Sequence, residues 1–280
     1  MDKLLHCTDL DRTLIPNGQQ PESSQARAYF ARFVSQLEVS LAYVTGRHLA
    51  LIEQAIAEYE LPQPDFVVAD VGTSIYEKES CGEGWQRSVN WDQELAVDWR
   101  QQTAKDLAGL IQQIPNCRLQ EDEKQGLHKL SCYINLTAPI QSAISQVKEV
   151  FEKAQIKANF IWSIDEQANV GLLDILPQRA NKYEAITFLM KNHDFYLYNT
   201  IFSGDSGNDR DVLISPIKSI IVANAHRELK QQLLTEVQSF QRKDTLYFAM
   251  GEFIGLNGNY SAGIVEGICH YFPEYLSLFR

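Results

Sequence analysis

The feature that most constrains this chain is the recurrence of short β-branched or apolar runs, each followed by an amphipathic stretch. KLLHCT (3–8) precedes a helical pattern over 23–37, SLAYVT (40–45) precedes HLALIEQAIAEYE (48–60), and FVVADVG (66–72) closes the first third. Late in the chain NKYEAITFLMKNH (181–193) leads into TIFSGD (200–205), and SIIVANA (219–225) leads into a last amphipathic stretch over 226–240. Apolar strands alternating with helices predict an α/β fold, a Rossmann-like parallel sheet covered on both faces.

The middle of the chain breaks this rhythm. From residue 85 to 176 the patterns read as a long polar helix (91–114), an alternating strand (HKLSCYINL, 128–136), a second helix (138–154) and two further strands (157–164 and 169–176). Strands that alternate polar and apolar residues belong to an α+β module with one wetter sheet face. The expected organisation is therefore a core built from 1–84 and 177–280, with an inserted α+β cap over 85–176. All four tryptophans (Trp85, Trp91, Trp99, Trp162) fall in the expected insertion, and core packing is their simplest use.

Charge and cysteine content narrow the function. A formal net charge of −11 argues against a binder of nucleic acid or anionic membranes, since either needs a basic surface. It leaves room for a small anion held by a local cation. Five widely spaced cysteines (Cys7, Cys81, Cys117, Cys132, Cys269) with no C-x-x-C pair fit free thiols in a reducing compartment. No apolar run reaches the ~18 residues of a membrane span, and no signal-peptide pattern opens the chain. A cytoplasmic protein is expected. The histidines show no metal-ligand spacing, so zinc is not expected.

The chemistry-bearing residues gather where strands end. Asp9 and Asp11, in DLDRT (9–13), follow the first strand, and residues two apart in extended chain point to one side. VTGR (44–47) ends the second strand with a hydroxyl on Thr45, a glycine at Gly46 that admits backbone N–H groups to an anion, and Arg47 at a helix start. SGDSGND (203–209) ends a later strand with Asp205, Asn208 and Asp209, and Lys182 opens the helix before it. Each piece alone also reads as an ordinary solvated turn. If the four aspartates converge, each pair at ~4 Å repels by up to ~4 kcal/mol at an effective dielectric near 20, so a cation must compensate. Oxygen ligands suit a hard ion, Mg²⁺ above all.

The order of these motifs resembles the haloacid dehalogenase superfamily of phosphohydrolases. The insertion lies between the second and third motifs, where that superfamily's larger α/β caps occur. Within the superfamily the chain is most similar to the sucrose-phosphate phosphatases, through DLDRTLI (9–15), LAYVTGRHL (41–49), VADVGTSIY (68–76), HKLSCYI (128–134), LLDILPQRANKYEA (172–185), SGDSGNDRDVL (203–213), IIVANAHREL (220–229) and NYSAGIVEGICHY (259–271). Tyr183 departs from the glycine common after the motif lysine in those enzymes. The resemblance implies Asp9 as nucleophile and Asp11 as general acid, then base. It implies metal ligands in Asp9, the Asp11 backbone carbonyl and Asp205, with Asp209 supporting the metal shell. Thr45, Gly46, Lys182 and Asn208 would hold phosphate, with Arg47 beside them.

Two cap residues on one face of the strand at 128–136, Lys129 and Ser131, are the candidates for contacting the sugar; a plain half-exposed strand shows the same alternation. The substrate the resemblance implies is sucrose 6-phosphate. Mannosylfructose phosphate, a glycosyl phosphoglycerate and a hexose phosphate are the alternatives, and a phosphoacceptor signalling domain is the alternative from another class. A monomer is expected, and a sugar-phosphate synthase is the partner class the resemblance implies.

Overall fold

In the computed structural model, which describes residues 3–79, 84–165, 168–239 and 242–279, β1 (Leu4–Thr8) is buried at all five positions. A strand covered on both faces has no polar side to alternate with, and its two polar members are buried with partners: His6 Nε2 shares a hydrogen bond with Ser203 Oγ, and the Thr8 hydroxyl donates to the Asp9 carbonyl. The chain then forms α1 (Ala26–Val34), β2 (Val39–Val44), α2 (Leu49–Glu58), β3 (Phe66–Ala69), β4 (Ser74–Lys78) and β5 (Trp85–Arg87). A separate run builds α3 (Val89–Asp98), α4 (Ala104–Ile111), β6 (Cys117–Leu119), β7 (Leu130–Ile134), α5 (Ile140–Lys153), β8 (Ala158–Asp165) and β9 (Val170–Pro177). The remainder forms α6 (Lys182–Asn192), β10 (Thr200–Gly204), α7 (Arg210–Leu213), β11 (Lys218–Ile221), α8 (Arg227–Ser239), β12 (Leu246–Phe248) and α9 (Ser261–Tyr271). Cys81 and residue 240, the last of the amphipathic stretch over 226–240, lie outside the described residues. The four described cysteines are buried free thiols.

The chain divides into two compact units, Met1–Arg87 with Lys182–Arg280, and Ser88–Asn181. The larger unit holds an eight-stranded sheet in the order β12-β11-β10-β1-β2-β3-β4-β5. Its strands from β12 to β3 are parallel, and β4 and β5 continue it antiparallel. Trp85 belongs to this sheet, because Trp85 to Arg87 pair with Lys78 to Tyr76. From β1 the chain winds outward through β2 to one side and later through β10 to the other. That reversal beside β1 is the place where an open α/β sheet leaves a crevice at its carboxyl edge. One apolar cluster includes Phe30 and Phe33 of α1, Ile56 of α2, Tyr43 of β2 and Ile264, Val265 and Ile268 of α9.

The smaller unit carries a four-stranded antiparallel sheet, β6-β7-β9-β8. Leu107 and Ile111 of α4 and Val147 and Phe151 of α5 pack on Cys132, Ile134, Leu173 and Ile175. The single long helix expected over 91–114 is two helices here. Arg100 and Gln101 take positive φ (54° and 66°), and Thr103 and Asp106 form a reciprocal capping box that starts α4 afresh. Such a box supplies partners for the orphan N–H groups of a new helix, which a continuous helix would not need. The strand around 128–136 also differs from a half-exposed one: all five residues of β7 are buried.

Candidate active site

The first strand delivers Asp9 to the carboxyl edge, where its N–H donates to the Ser203 carbonyl at 2.9 Å and extends the pairing with β10. Asp9 is buried there. Lys182, the first residue of α6, is also buried, and its Nζ lies 2.6 Å from Asp209 Oδ1, 3.1 Å from Asp9 Oδ1 and 3.3 Å from Asn208 Oδ1. One ammonium thus joins residues that stand 173 and more positions apart from Asp9 to the later motifs in sequence, as only the sheet topology allows.

Asp209 is held by the turn that carries it. Its Oδ2 accepts from the backbone N–H groups of Asp205 (3.1 Å) and Ser206 (3.0 Å) and from the Ser206 hydroxyl, while Oδ1 takes Lys182. Gly204 is required beneath it, since a Cβ there would meet Asp209 Oδ2 at 2.6 Å. With both oxygens engaged, Asp209 organises the loop and orients the lysine. Asp205 is less completely partnered: Thr13 Oγ1 donates to Oδ1 at 3.2 Å, and Arg12 Nε lies 3.3 Å from Oδ2.

Asp11 is placed differently. Its carboxylate is half-exposed and gripped by Arg47, whose Nε donates to Oδ2 at 2.8 Å and Nη2 to Oδ1 at 2.6 Å; Asn17 Nδ2 adds a bond of 2.6 Å to Oδ1. Burial pushes the Asp11 carboxyl up, but the two Arg47 hydrogen bonds and the guanidinium charge win and hold it below its ordinary range. Thr45 is buried, and its hydroxyl oxygen accepts from the Arg47 N–H at 3.3 Å. The loop is clamped by Val71 and Asp70, whose N–H groups donate to the Thr45 and Arg47 carbonyls at 3.1 and 3.0 Å. Both clamping residues have positive φ, 59° for Val71 and 51° for Asp70, a strained conformation for a β-branched side chain. Val71 then rests its Cγ2 against Gly46.

Asp9, Asp205, Asp209, Lys182 and Asn208 are therefore brought together, with Asp11, Arg47, Thr45 and Gly46 along the same strand ends. Lys129 and Ser131 belong to the smaller unit. There the buried Ser131 hydroxyl donates to Asp174 Oδ1 at 2.6 Å, and Lys129 sits before β7 in a bridge with Gly126. Arg12, Thr13 and Asn17 stand in or beside the first motif, yet their partners are side chains that the sequence does not announce. Asn224, whose Nδ2 donates to the Arg12 carbonyl at 2.6 Å, lies in the turn just after β11.

Asp9, Asp205 and Asp209 each offer an oxygen, all within 4.8 Å of one another and all buried. An oxygen-only donor set with more carboxylates than the one buried ammonium can neutralise fits a hard divalent cation such as Mg²⁺. Burial raises the Asp9 carboxyl to about 7, against the pull of Lys182 and with the help of Asp209. Burial and Asp209 raise Asp205 to about 6, against Arg12 and Thr13. For Lys182, burial works against the charge, but Asp209 and Asp9 outweigh it and hold the ammonium protonated above its ordinary range.

These shifts fix the sign of a pH effect. Both carboxyls retain protons in the folded, metal-free chain that a cation must displace, so metal binding is expected to weaken as pH falls through about 7 and then about 6. Between the unfolded carboxylate range near pH 4 and those values the folded chain binds the extra protons. Its metal-free stability should therefore fall as pH rises across that window. Calorimetric Mg²⁺ titrations and metal-free thermal melts at pH 5, 6, 7 and 8 check both directions.

Comparison with known proteins identifies the family. A family model for sucrose-6F-phosphate phosphohydrolase matches residues 2–272. A HAD-like hydrolase of Nitrosococcus oceani is 47% identical over 272 residues, covering 97% of this chain and 72% of its own. The mannosylfructose-phosphate phosphatase of Agrobacterium fabrum is 27% identical, covering 94% of this chain and 95% of its own. Sucrose-phosphatase 2 of Nicotiana tabacum is 29% identical over 82% of this chain, which spans 52% of the tobacco protein. Among solved structures, the sucrose-phosphatase of Synechocystis, in complex with sucrose and phosphate, superposes with a TM-score of 0.71 at 24% identity, covering 97% of this chain and 98% of its own.

Proposed function

Because the chain belongs to the sucrose-6F-phosphate phosphohydrolase family, a family of phosphomonoester hydrolases acting on sugar phosphates, we propose that it hydrolyses sucrose 6-phosphate to sucrose and phosphate with Mg²⁺ and a phosphorylated Asp9. The observation that carries this is the buried contact set of Lys182 with Asp9, Asp209 and Asn208, beside an Asp205 whose charge is only partly answered.

Asp9, the backbone carbonyl of Asp11 and Asp205 would hold the ion, with Asp209 fixing the loop around them. The ion would supply Lewis-acid neutralisation of the phosphoryl oxygens and keep Asp9 ionised. The work of the chain's own groups follows from their positions. Asp9 attacks phosphorus as an anion, which its raised proton affinity permits only when positive charge stands close. Lys182 supplies a fixed ammonium beside Asp9 at no cost in reorganisation. Thr45, Gly46 and Asn208 offer donors to the remaining phosphoryl oxygens.

Asp11 has to give a proton to the leaving oxygen and later take one from water. Paired with Arg47 it is ionised, the state of the base. Arg47 is also within the loop that receives phosphate, and phosphate competes with carboxylate for the same fork of donors. As Arg47 turns to substrate, Asp11 loses the partner that suppressed its proton and becomes able to carry one. The smaller unit, with its buried Ser131 bonded to the half-buried Asp174, is the proposed source of sugar recognition.

The test is phosphate release from a panel of sugar phosphates with Mg²⁺ present: sucrose 6-phosphate, mannosylfructose phosphate, a glycosyl phosphoglycerate and hexose phosphates. The highest kcat/KM is expected on sucrose 6-phosphate. A higher value on mannosylfructose phosphate, the substrate named for the Agrobacterium relative, would replace the sugar and keep the chemistry. No release from any of them would remove the whole proposal. No described helix is long and apolar enough to cross a membrane.

A further inference from the structure

We infer that Arg12 is an internal cation that shares Asp205 with the divalent ion and thereby weakens, by competition, the site's hold on that ion. The inference rests on the metal reading given above. Arg12 stands between Asp11 and Thr13 with φ of 59°, in the left-handed region that glycine and asparagine enter far more readily than arginine. Its backbone is fastened there from both ends. The Arg12 N–H donates to Asn17 Oδ1 at 2.8 Å, and its carbonyl accepts from Asn224 Nδ2 at 2.6 Å. Asn224 is anchored in turn, because its Oδ1 accepts from the Tyr260 N–H at 2.8 Å.

This scaffold aims a guanidinium at the metal-ligand set. Arg12 Nε lies 3.3 Å from Asp205 Oδ2, and Nη1 lies 3.2 Å from His226 Nε2. The Nε–H is buried yet makes no well-aligned hydrogen bond. The contact with Asp205 is therefore one of charge at poor angle, the kind a better cation displaces. A divalent ion on Asp205 draws on the same carboxylate charge that the guanidinium faces, and two cations at such range repel. The opposite role is that of a prop: Arg12 could instead hold Asp205 in its ligating position. The two roles differ in sign. A competitor, once removed, leaves the ion bound more tightly; a prop, once removed, leaves it bound more weakly.

The experiment is calorimetric titration of Mg²⁺ into the full chain with no substrate present, for the unaltered protein, Arg12→Asn and Arg12→Lys. Asparagine tolerates the left-handed backbone and carries no charge, so Arg12→Asn is expected to bind Mg²⁺ about tenfold more tightly. Arg12→Lys keeps a cation and is expected to stay within about threefold of the unaltered chain. Unchanged or weaker binding in Arg12→Asn overturns the inference, as does Arg12→Lys binding as tightly as Arg12→Asn, or an unaltered chain that takes up no Mg²⁺. If Arg12→Asn does not fold, Arg12→Gln carries the same expectation. The titration reads no turnover, so the two proposals fail separately. Tightened binding in a chain that hydrolyses no sugar phosphate leaves the inference standing, and unchanged binding in an active phosphatase removes the inference alone.

Discussion

Asp9→Asn is expected to lower phosphate release by about 10⁴-fold or more, with the folded chain intact. The substitution removes the attacking anion and changes little else. Asparagine keeps an oxygen for the Lys182 ammonium, which lies 3.1 Å from Asp9 Oδ1 and retains Asp209 at 2.6 Å. It also mimics the protonated side chain that burial already favours in the metal-free protein. The metal-free melting temperature at neutral pH should therefore match that of the unaltered chain, while the stabilisation conferred by added Mg²⁺ should shrink. Phosphate release and thermal melts on the same samples check both parts. Residual turnover above about one part in a hundred would take the nucleophile's role away from Asp9.

Lys182→Met is expected to damage both fold and function. Methionine fills the volume of the lysine stem but leaves Asp9 and Asp209 buried with no ammonium between them. Removing one partner from a buried, hydrogen-bonded ion set costs about 3–5 kcal/mol. In a unit of this size that lowers the melting temperature by on the order of 10 °C. The loss should be greatest above neutral pH. Without the ammonium the carboxyls bind protons still more readily, so acidification to pH 5 restores part of the stability by neutralising them. Turnover should fall about 10³-fold or more even where the chain remains folded, because the fixed positive charge at the phosphoryl site is gone. A melting temperature unmoved at pH 8 would mean that Lys182 does not compensate these carboxylates.

How much of this was legible in the sequence follows from how local each signal is. The parallel core was legible because β1, β3 and β10 are buried on both faces and so show no polar alternation, their few polar members being buried as well. Asp9, Lys182, Asp205 and Asp209 stood out because each falls where an apolar run ends or a helix opens, the positions that a doubly wound sheet brings to one edge. Three-residue strands such as β5, β6 and β12 carry too few residues to express any period, so the sequence does not announce them. The break between α3 and α4 was announced by Thr103 and Asp106, but the polar run across 91–114 hid it behind an apparently continuous helix. The charge pairings were the least legible part. That Arg47 grips Asp11, or that Arg12 faces Asp205, depends on side chains meeting across loops separated by dozens of residues or more, and nothing in either local stretch records it. The expectation for Asp11 was a side chain ready to carry a proton; the Arg47 fork gives it instead a partner that must be removed first.

The central claim is that the buried carboxylate beside Lys182 accepts a phosphoryl group in a metal-dependent reaction. Its most direct test uses Asp11→Asn, which leaves the nucleophile intact and slows the water step, with an activated aryl phosphate whose leaving group needs no proton on departure. After acid quenching and peptide mapping, the account requires one phosphoryl group on the peptide containing Asp9 when Mg²⁺ is present, and none when a chelator is added. An unmodified Asp9 peptide in a chain that still turns over the activated substrate, or labelling indifferent to the chelator, would contradict it.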